Sequence, residues 1–362
     1  MDKPILYGGK LSYFTGKARS FLNFKKIDFE ERLATPEIYK TIIMPRVGYP
    51  MIPVMVFPDD TLIQDTTELI DFFETNIHTP SATPNGPKQR LVSSLLELYG
   101  DEWLVIPAMH YRWAHNRDFA LAEFGKLALA EGTPEEQYKA GEKAAGMFEG
   151  AVPLLGASPA MADAIERSYV SLLHEMDAHF STHNFILGGK PCAGDFGLIG
   201  PLYAHLYRDP ASGALMKKEA PNVARWVERM IAEPFIAGDD YVEDDIIPPT
   251  LMPVLKRMMS EQGPCLLDLF EKLSVFKEQN PDKPIPRVIG MHPFTVSGET
   301  GQRIMLPYSQ WMAQRAFEPL NALNETDQTA TNALLTEIGA AGFIGLTFDT
   351  PVTREAYKLV WR

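Results

Sequence analysis

Cysteine is nearly missing from this chain of 362 residues, which has two, Cys192 and Cys265. Two thiols build neither a disulfide framework nor a cysteine-based zinc module. Positive charge is short as well: 34 Lys and Arg face 47 Asp and Glu, leaving a formal net charge of −13. Nucleic acid is held by clustered Lys and Arg that neutralise phosphates, so that class of partner is not expected. No apolar run approaches the roughly 20 residues that a bilayer span requires, and no membrane partner is expected either. The opening Met1-Asp2-Lys3-Pro4 leads into strand-like residues without the apolar core of a signal peptide. A cytoplasmic protein is the expectation.

Several catalytic signatures are also missing. His174-Glu175 and His179 are spaced HExxxH, so the two histidines do not stack on one helical face as in HExxH. His179 and His183 have the right spacing but lack a third ligand, and no metal is expected. No GxGxxG follows a strand, no Gly-Lys is followed by the Ser or Thr of a phosphate loop, and there is no GxSxG elbow.

What the chain does have is apolar residues, at 45%, enough for well-buried cores. Its length exceeds one typical core, so two or three domains are expected. The first eighty residues alternate short strands and helices. Ile5-Leu6-Tyr7 reads as a strand with Gly8-Gly9 as its exit, and Gly16 to Lys26 places Ala18, Phe21, Leu22 and Phe24 on a helical face. Phe29 to Leu33 alternates as a strand, and Thr35-Pro36 caps a short helix over Glu37 to Ile43. Val54 to Phe57 and Leu62 to Gln64 flank the turn Pro58-Asp59-Asp60, and a last helix ends near Asn76. The order βαβαββα is that of a thioredoxin-like domain.

Three prolines between Thr79 and Pro87 mark a linker. Beyond it helical periodicity dominates: Gln89 to His115, Glu135 to Leu155, Ala162 to Phe180, Phe196 to Tyr207 and Asn222 to Ile231. After about Pro234 the pattern weakens. Leu251 to Met259, Gly263 to Phe276 and Ser309 to Leu323 are helix-like, Val288 to Met291 is a short strand, and Leu359-Val360-Trp361 closes the chain. The expected division is a domain over 1–80, an all-helical domain over 88–238 and a C-terminal extension over 239–362.

The tract Met51-Ile52-Pro53-Val54-Met55-Val56-Phe57, followed by Leu62-Ile63-Gln64-Asp65-Thr66, carries the functional signal. Proline has no N–H for a strand ladder, so Pro53 belongs at a strand entrance, where a cis Ile52–Pro53 bond turns the Ile52 main-chain N–H and C=O outward. Asp65-Thr66 precede an amphipathic segment, and a helix N-terminus there offers N–H groups and a hydroxyl to an anion. One element pairs with a peptide-like backbone and the other holds a carboxylate.

These residues resemble the glutathione-binding half of the glutathione transferases, which have a Val-Pro or Ile-Pro turn before the third strand and a Glu-Ser or Asp-Ser pair opening the third helix. The resemblance implies an α+β architecture: the thioredoxin-like domain, then the family's all-helical C-terminal domain, here with an extra C-terminal region. Gly188-Gly189-Lys190-Pro191-Cys192-Ala193-Gly194-Asp195-Phe196 resembles the family's helix-start motif, with Cys192 in the Ser/Thr place. The loop Lys10-Leu11-Ser12-Tyr13-Phe14-Thr15 looks like its serine-type pattern, Ser12 falling on the catalytic serine and Tyr13 replacing a proline. By the residues alone, Ser12 and Thr15 are equally helix caps, and Tyr13 is the nearest competing donor.

The resemblance further implies that Ser12 or Tyr13 stabilises the thiolate of glutathione. Ile52, presented by the turn at Pro53, would pair with its cysteinyl backbone, Asp65 and Thr66 would hold its γ-glutamyl end, and Arg46 its glycyl carboxylate. A small hydrophobic electrophile would lie against Tyr99, Trp103, His110 and Tyr111. Glutathione as co-substrate, a homodimer and a role in detoxification come with the same resemblance. Other glutathione-dependent reactions (ether or thioether cleavage, dehalogenation, isomerisation) and a non-catalytic binding protein on this fold are the alternatives.

Overall fold

In the computed structural model, which describes residues 3–238 and 240–362, the apolar run at the start forms β1 (Ile5–Gly8), an inner strand of a four-stranded sheet. Met1, Asp2 and Asp239 lie outside the described residues. Next comes α1 (Tyr13–Phe24), which starts three positions before the expected Gly16 because Ser12 caps it, its hydroxyl accepting from the Thr15 N–H at 3.2 Å. Ala18, Phe21 and Leu22 are fully buried on its inner face. As a crossover, α1 brings β2 (Glu30–Leu33) back parallel to β1.

Thr35 accepts from the Ile38 N–H at 3.3 Å and opens α2 (Pro36–Ile38). A π turn over Tyr39–Ile43 then joins α3 (Met44–Val47), so the one short helix expected here is three joined pieces. Pro45 explains the change of pitch, since it has no N–H to donate and the ladder widens before it. The strands β3 (Val54–Val56) and β4 (Leu62–Gln64) form the expected antiparallel hairpin, and α4 (Thr66–Asn76) closes the domain. The sheet order β2-β1-β3-β4, with one parallel and two antiparallel pairings, is that of a thioredoxin-like domain.

From Pro87 to Met230 every regular element is a helix. One long helix expected over 89–115 is instead two, Pro87–Glu102 and Val105–His115. Pro107 is the reason: it has no N–H for the Trp103 carbonyl four residues back, and its ring clashes there. Ala162–Phe180 matches its expected bounds, while Arg117–Ala128 and Pro210–Glu219 are helices the periodicity did not reveal.

The chain forms two compact units, each drawing on three stretches: Met1–Ser81, Ala108–Val152 and Leu198–Ala237 in the first, and Ala82–Pro107, Pro153–Gly197 and Gly238–Arg362 in the second. In the second, helices Met252–Glu261 and Gly263–Gln279 follow the expected pattern closely. Instead of a short strand near Val288, a hairpin joins Met291–Val296 to Glu299–Ile304 across Ser297-Gly298, both residues in left-handed conformation at φ 48° and 82°. A second hairpin, Val352–Glu355 with Lys358–Trp361, closes the chain. No described helix is long and apolar enough to cross a membrane.

Candidate active site

Strand register brings the residues of interest to one edge of the thioredoxin-like sheet. Tyr7 stands opposite Val54, and Val54 stands opposite Gln64. Because β3 runs antiparallel to both neighbours, the exit of β1, the entrance of β3 and the exit of β4 share that edge. From it spring the loop bearing Ser12, the Ile52–Pro53 turn and the Asp65-Thr66 pair. The Ile52–Pro53 peptide bond is cis. Tyr49 adds a lateral tie, its hydroxyl donating to Gln64 Oε1 at 3.0 Å.

Ser12 is half-buried at the N-cap of α1. Its N–H donates to the Gly9 carbonyl at 2.9 Å, and its own carbonyl accepts from the Gly16 N–H at 3.2 Å. The hydroxyl accepts from Thr15, and a hydroxyl that accepts still has a proton to donate, so capping and donation are compatible. Thr15 is buried and accepts from the Gly9 N–H at 3.3 Å. At Gly8 a Cβ would lie 2.4 Å from Thr15, which is why glycine ends β1. Tyr13, 7% exposed, packs its ring on Gly200, where a Cβ would stand 3.0 Å from two ring carbons, and edge-on to His205 at 5.7 Å.

Asp65 caps α4, its carboxylate accepting from the N–H groups of Thr67 at 2.9 Å and Glu68 at 3.3 Å. Its backbone sits at φ 102°, ψ 127°, a conformation that L residues rarely adopt and that costs on the order of 1–3 kcal/mol. Such strain persists only where the surroundings impose it, and it concentrates at ligand-binding sites. Thr66 is buried at the first helical position. Behind this helix start lies Lys17, fully buried in α1, whose ammonium donates to Thr67 Oγ1 at 3.1 Å. Arg46 pairs with Asp60, at 2.9 Å to its carboxylate and through a second bond to its carbonyl.

The four aromatic candidates divide between the compact units. His110 and Tyr111 belong to the first, in a ring cluster with His115 at 5.2–5.5 Å. Tyr99 and Trp103 belong to the second, where they are 1% and 2% exposed. Trp103 donates to Glu261 at 3.3 Å and meets Phe294 edge-on at 6.0 Å, with the Arg303 guanidinium 4.9 Å from its ring. As enclosed, neither ring offers a face to an acceptor, and His110 and Tyr111, at 4% and 5% exposed, are enclosed as well.

Sequence reasoning gave no role to a buried ion pair in the first unit. Arg112, on helix Val105–His115, forks onto Asp209 through Nε at 2.7 Å and Nη2 at 2.9 Å. The same guanidinium donates to the Ala204 carbonyl at 2.6 Å and, from Nη1, to the Leu11 carbonyl at 3.1 Å. Burial pushes the Asp209 carboxyl up from its ordinary value, while Arg112 and then Arg208 pull it down. Burial, with Arg112 and Arg208 nearby, holds His205 well below the ordinary imidazole value, so it is neutral. Its Nδ1 has no partner among the described residues. The available signal was an arginine set among apolar residues in Val105–Trp113.

In the second unit Asp195 acts in the first turn of its helix, Ala193–Ala204. Its carboxylate accepts from the N–H groups of Cys192 at 2.9 Å and Ile186 at 3.1 Å, although a thiol stands where a hydroxyl cap would be.

Residues 6–81 match the family model described as the glutathione S-transferase N-terminal domain. No curated protein matches the chain. Among solved structures, the chain is similar to a glutathione S-transferase from Rhodospirillum rubrum, at 16% identity over 68% of this chain and 96% of that one, with a TM-score of 0.41. It is similar to the beta-etherase LigF from Sphingobium, at 17% identity over 65% of this chain and 99% of that one, TM-score 0.46. A third is a glutathione S-transferase from Methylobacterium radiotolerans in complex with glutathione sulfonate, at 15% identity over 68% and 100%, TM-score 0.37. With its strand order and the family match in agreement, the chain carries at residues 6–81 the N-terminal domain of the glutathione S-transferase family.

Proposed function

We propose that the chain is a glutathione-dependent, transferase-like enzyme in which the Ser12 hydroxyl stabilises the bound thiolate. The observation that supports this most is the shared sheet edge, from which a helix-capping hydroxyl, the Ile52–Pro53 turn and a strained capping carboxylate all spring. In this reading the Ile52 main chain pairs with the cysteinyl residue of glutathione. Asp65 takes the γ-glutamyl amine, and Thr66, at the first position of α4, takes its carboxylate at the positive end of that helix. Arg46 serves the glycyl carboxylate only by exchanging its Asp60 partner.

A cysteine thiol titrates near 8.5, and a hydroxyl that donates to sulfur favours the anion, lowering that value. The proton passes to solvent. The sulfur lone pair then forms a C–S bond to an apolar electrophile, whose leaving group departs with its bonding electrons. We assign the acceptor to the aromatic side chains His110 and Tyr111. His110 and Tyr111 are themselves 4% and 5% exposed, so an acceptor reaches them, like Tyr99 and Trp103, only where the packing around them opens. A homodimer is part of the same proposal, by family resemblance.

The test is the pH–rate profile with a generic aryl halide. Ser12→Ala should still bind glutathione but lose turnover at neutral pH and regain part of it at higher pH, where the thiol ionises unaided. Tyr13→Phe, buried against Gly200, should leave the profile in place. A shift in Tyr13→Phe alone would move the donor to the phenol. Turnover of ethers or of haloacids instead of aryl halides would redirect the substrate class, and no glutathione binding at millimolar concentration would leave a non-catalytic binding protein.

A further inference from the structure

A hydroxyl stabilises a sulfur anion only if its oxygen is held in place, because a donor misplaced by an ångström loses most of its effect. The Leu11–Ser12 peptide is tied on both sides. Its N–H donates to the Gly9 carbonyl at 2.9 Å, and its carbonyl accepts from Arg112 Nη1 at 3.1 Å. A peptide unit is planar, so fixing both of its polar groups fixes the plane and with it the start of the Ser12 residue. From there the cap bond to Thr15 and the Ser12 carbonyl bond to Gly16 set the rest. The charged member of this set is Arg112, 2% exposed and 101 positions from Leu11 in sequence.

Arg112 is itself held by Asp209, which is fully buried, and by the Ala204 carbonyl. The carboxylate neutralises the guanidinium, so the pair adds little net field at the serine. What it supplies is geometry: a planar fork whose remaining Nη1 points at one backbone carbonyl. Lysine has the charge but not the fork.

We propose that Arg112, locked by Asp209, is a positioning residue for the Ser12 hydroxyl. It holds the Leu11 carbonyl and thereby sets the height of the serine donor over the glutathione sulfur. This inference rests on the serine reading above. Arg112 touches neither glutathione nor acceptor in this scheme and acts through the backbone of the loop.

A double-mutant cycle decides it, read on the ionisation of bound glutathione by the ultraviolet absorbance of its thiolate. The proteins are the full chain, Ser12→Ala, Arg112→Lys, and the two combined. Expected are an upward shift of about one pH unit in Ser12→Ala, a factor of ten in thiolate fraction, and a smaller shift in the same direction in Arg112→Lys. The combined variant should shift no further than Ser12→Ala, because a misplaced donor and a missing donor are the same loss. The glutathione dissociation constant should stay within a fewfold throughout, its main contacts being at Ile52, Asp65 and Thr66. If Arg112→Lys does not fold, the pair Arg112→Gln with Asp209→Asn removes both charges together and takes its place in the cycle. A normal thiol ionisation in the Arg112 variants beside a shifted one in Ser12→Ala overturns the positioning role alone. Additive shifts in the cycle overturn it too. An unshifted Ser12→Ala overturns the serine reading, and this inference with it.

Discussion

Arg112 in the first unit and Glu261 in the second are both buried ionisable side chains with several hydrogen bonds, yet they hold different kinds of partner. Two of Arg112's four bonds end on backbone carbonyls, at Leu11 and Ala204. Glu261 accepts from three side chains: Ser168 at 2.6 Å, Arg257 at 3.2 Å and Trp103 at 3.3 Å. A bond to a carbonyl fixes the course of the main chain, whereas bonds among side chains fasten one helix to the next. Loss of the first should surface as altered geometry in a loop, and loss of the second as lost stability.

The strongest way to break that contrast is Glu261→Ala. It leaves the Trp103 N–H and the Ser168 hydroxyl without their acceptor and Arg257 with Glu175 as its remaining carboxylate, and should destabilise the protein by about 3–5 kcal/mol. Denaturant unfolding measures the loss, and glutathione affinity under native conditions should not move. A large change in affinity would mean that the two networks are not separable in this way.

Acid gives the next largest effect. Burial, helped by His183, holds His179 down to about 4, against 6.5 for an exposed imidazole. Its Nε2–H donates to the Phe185 carbonyl, so Nδ1 is the acceptor of the Thr250 hydroxyl and has no room for a proton. A depressed imidazole contributes its stability in full above 6.5 and loses it as pH falls toward 4, by about 3 kcal/mol in total at 1.36 kcal/mol per unit. Unfolding midpoints followed from pH 7 to pH 4 should fall accordingly, and His179→Gln should flatten the curve. His205 in the first unit adds to the same trend, since it too is held low.

Smaller still is the binding change at α4. Asp65→Ala should weaken glutathione binding by about 1.5–3 kcal/mol, the worth of a charged hydrogen bond, as titration calorimetry would register. Unchanged affinity would remove Asp65 from the ligand site. The mildest effect separates two jobs of one residue. Ser12→Ala should cost about 1 kcal/mol of stability through the lost cap, and Ser12→Asp should restore that stability without restoring turnover, because a carboxylate caps but has no proton to give.

The thioredoxin-like half was legible because its signals are local. Pro53 before a β-branched run, Thr35-Pro36 at a helix start and Asp65 ahead of Leu69 and Ile70 each follow from the chemistry of neighbouring residues. The start of α1 was placed at Gly16 because Thr15 looked as good a cap as Ser12, and only the observed bond decides between them. The Arg112–Asp209 pair spans 97 positions and leaves no trace in either local pattern. The hairpin at Met291 was hidden by Pro293, which argues against a strand interior, although His292, Phe294 and Val296 alternate inward. In a two-stranded sheet both strands are edges, and an edge tolerates proline. Tyr99 and Trp103 share a helical face as their spacing indicates, but periodicity does not say whether a face meets a ligand or a core.

The backbone of Asp65, held at φ 102°, has a consequence for how this domain tolerates change. Glycine adopts that conformation without penalty, so Asp65→Gly trades a lost cap for relief of strain and should leave the fold nearly as stable as before. Under pressure for stability alone, that position is free to drift to glycine. Only a demand for the carboxylate opposes the drift, so randomising this codon and selecting first for folding and then for glutathione retention would return two different residues.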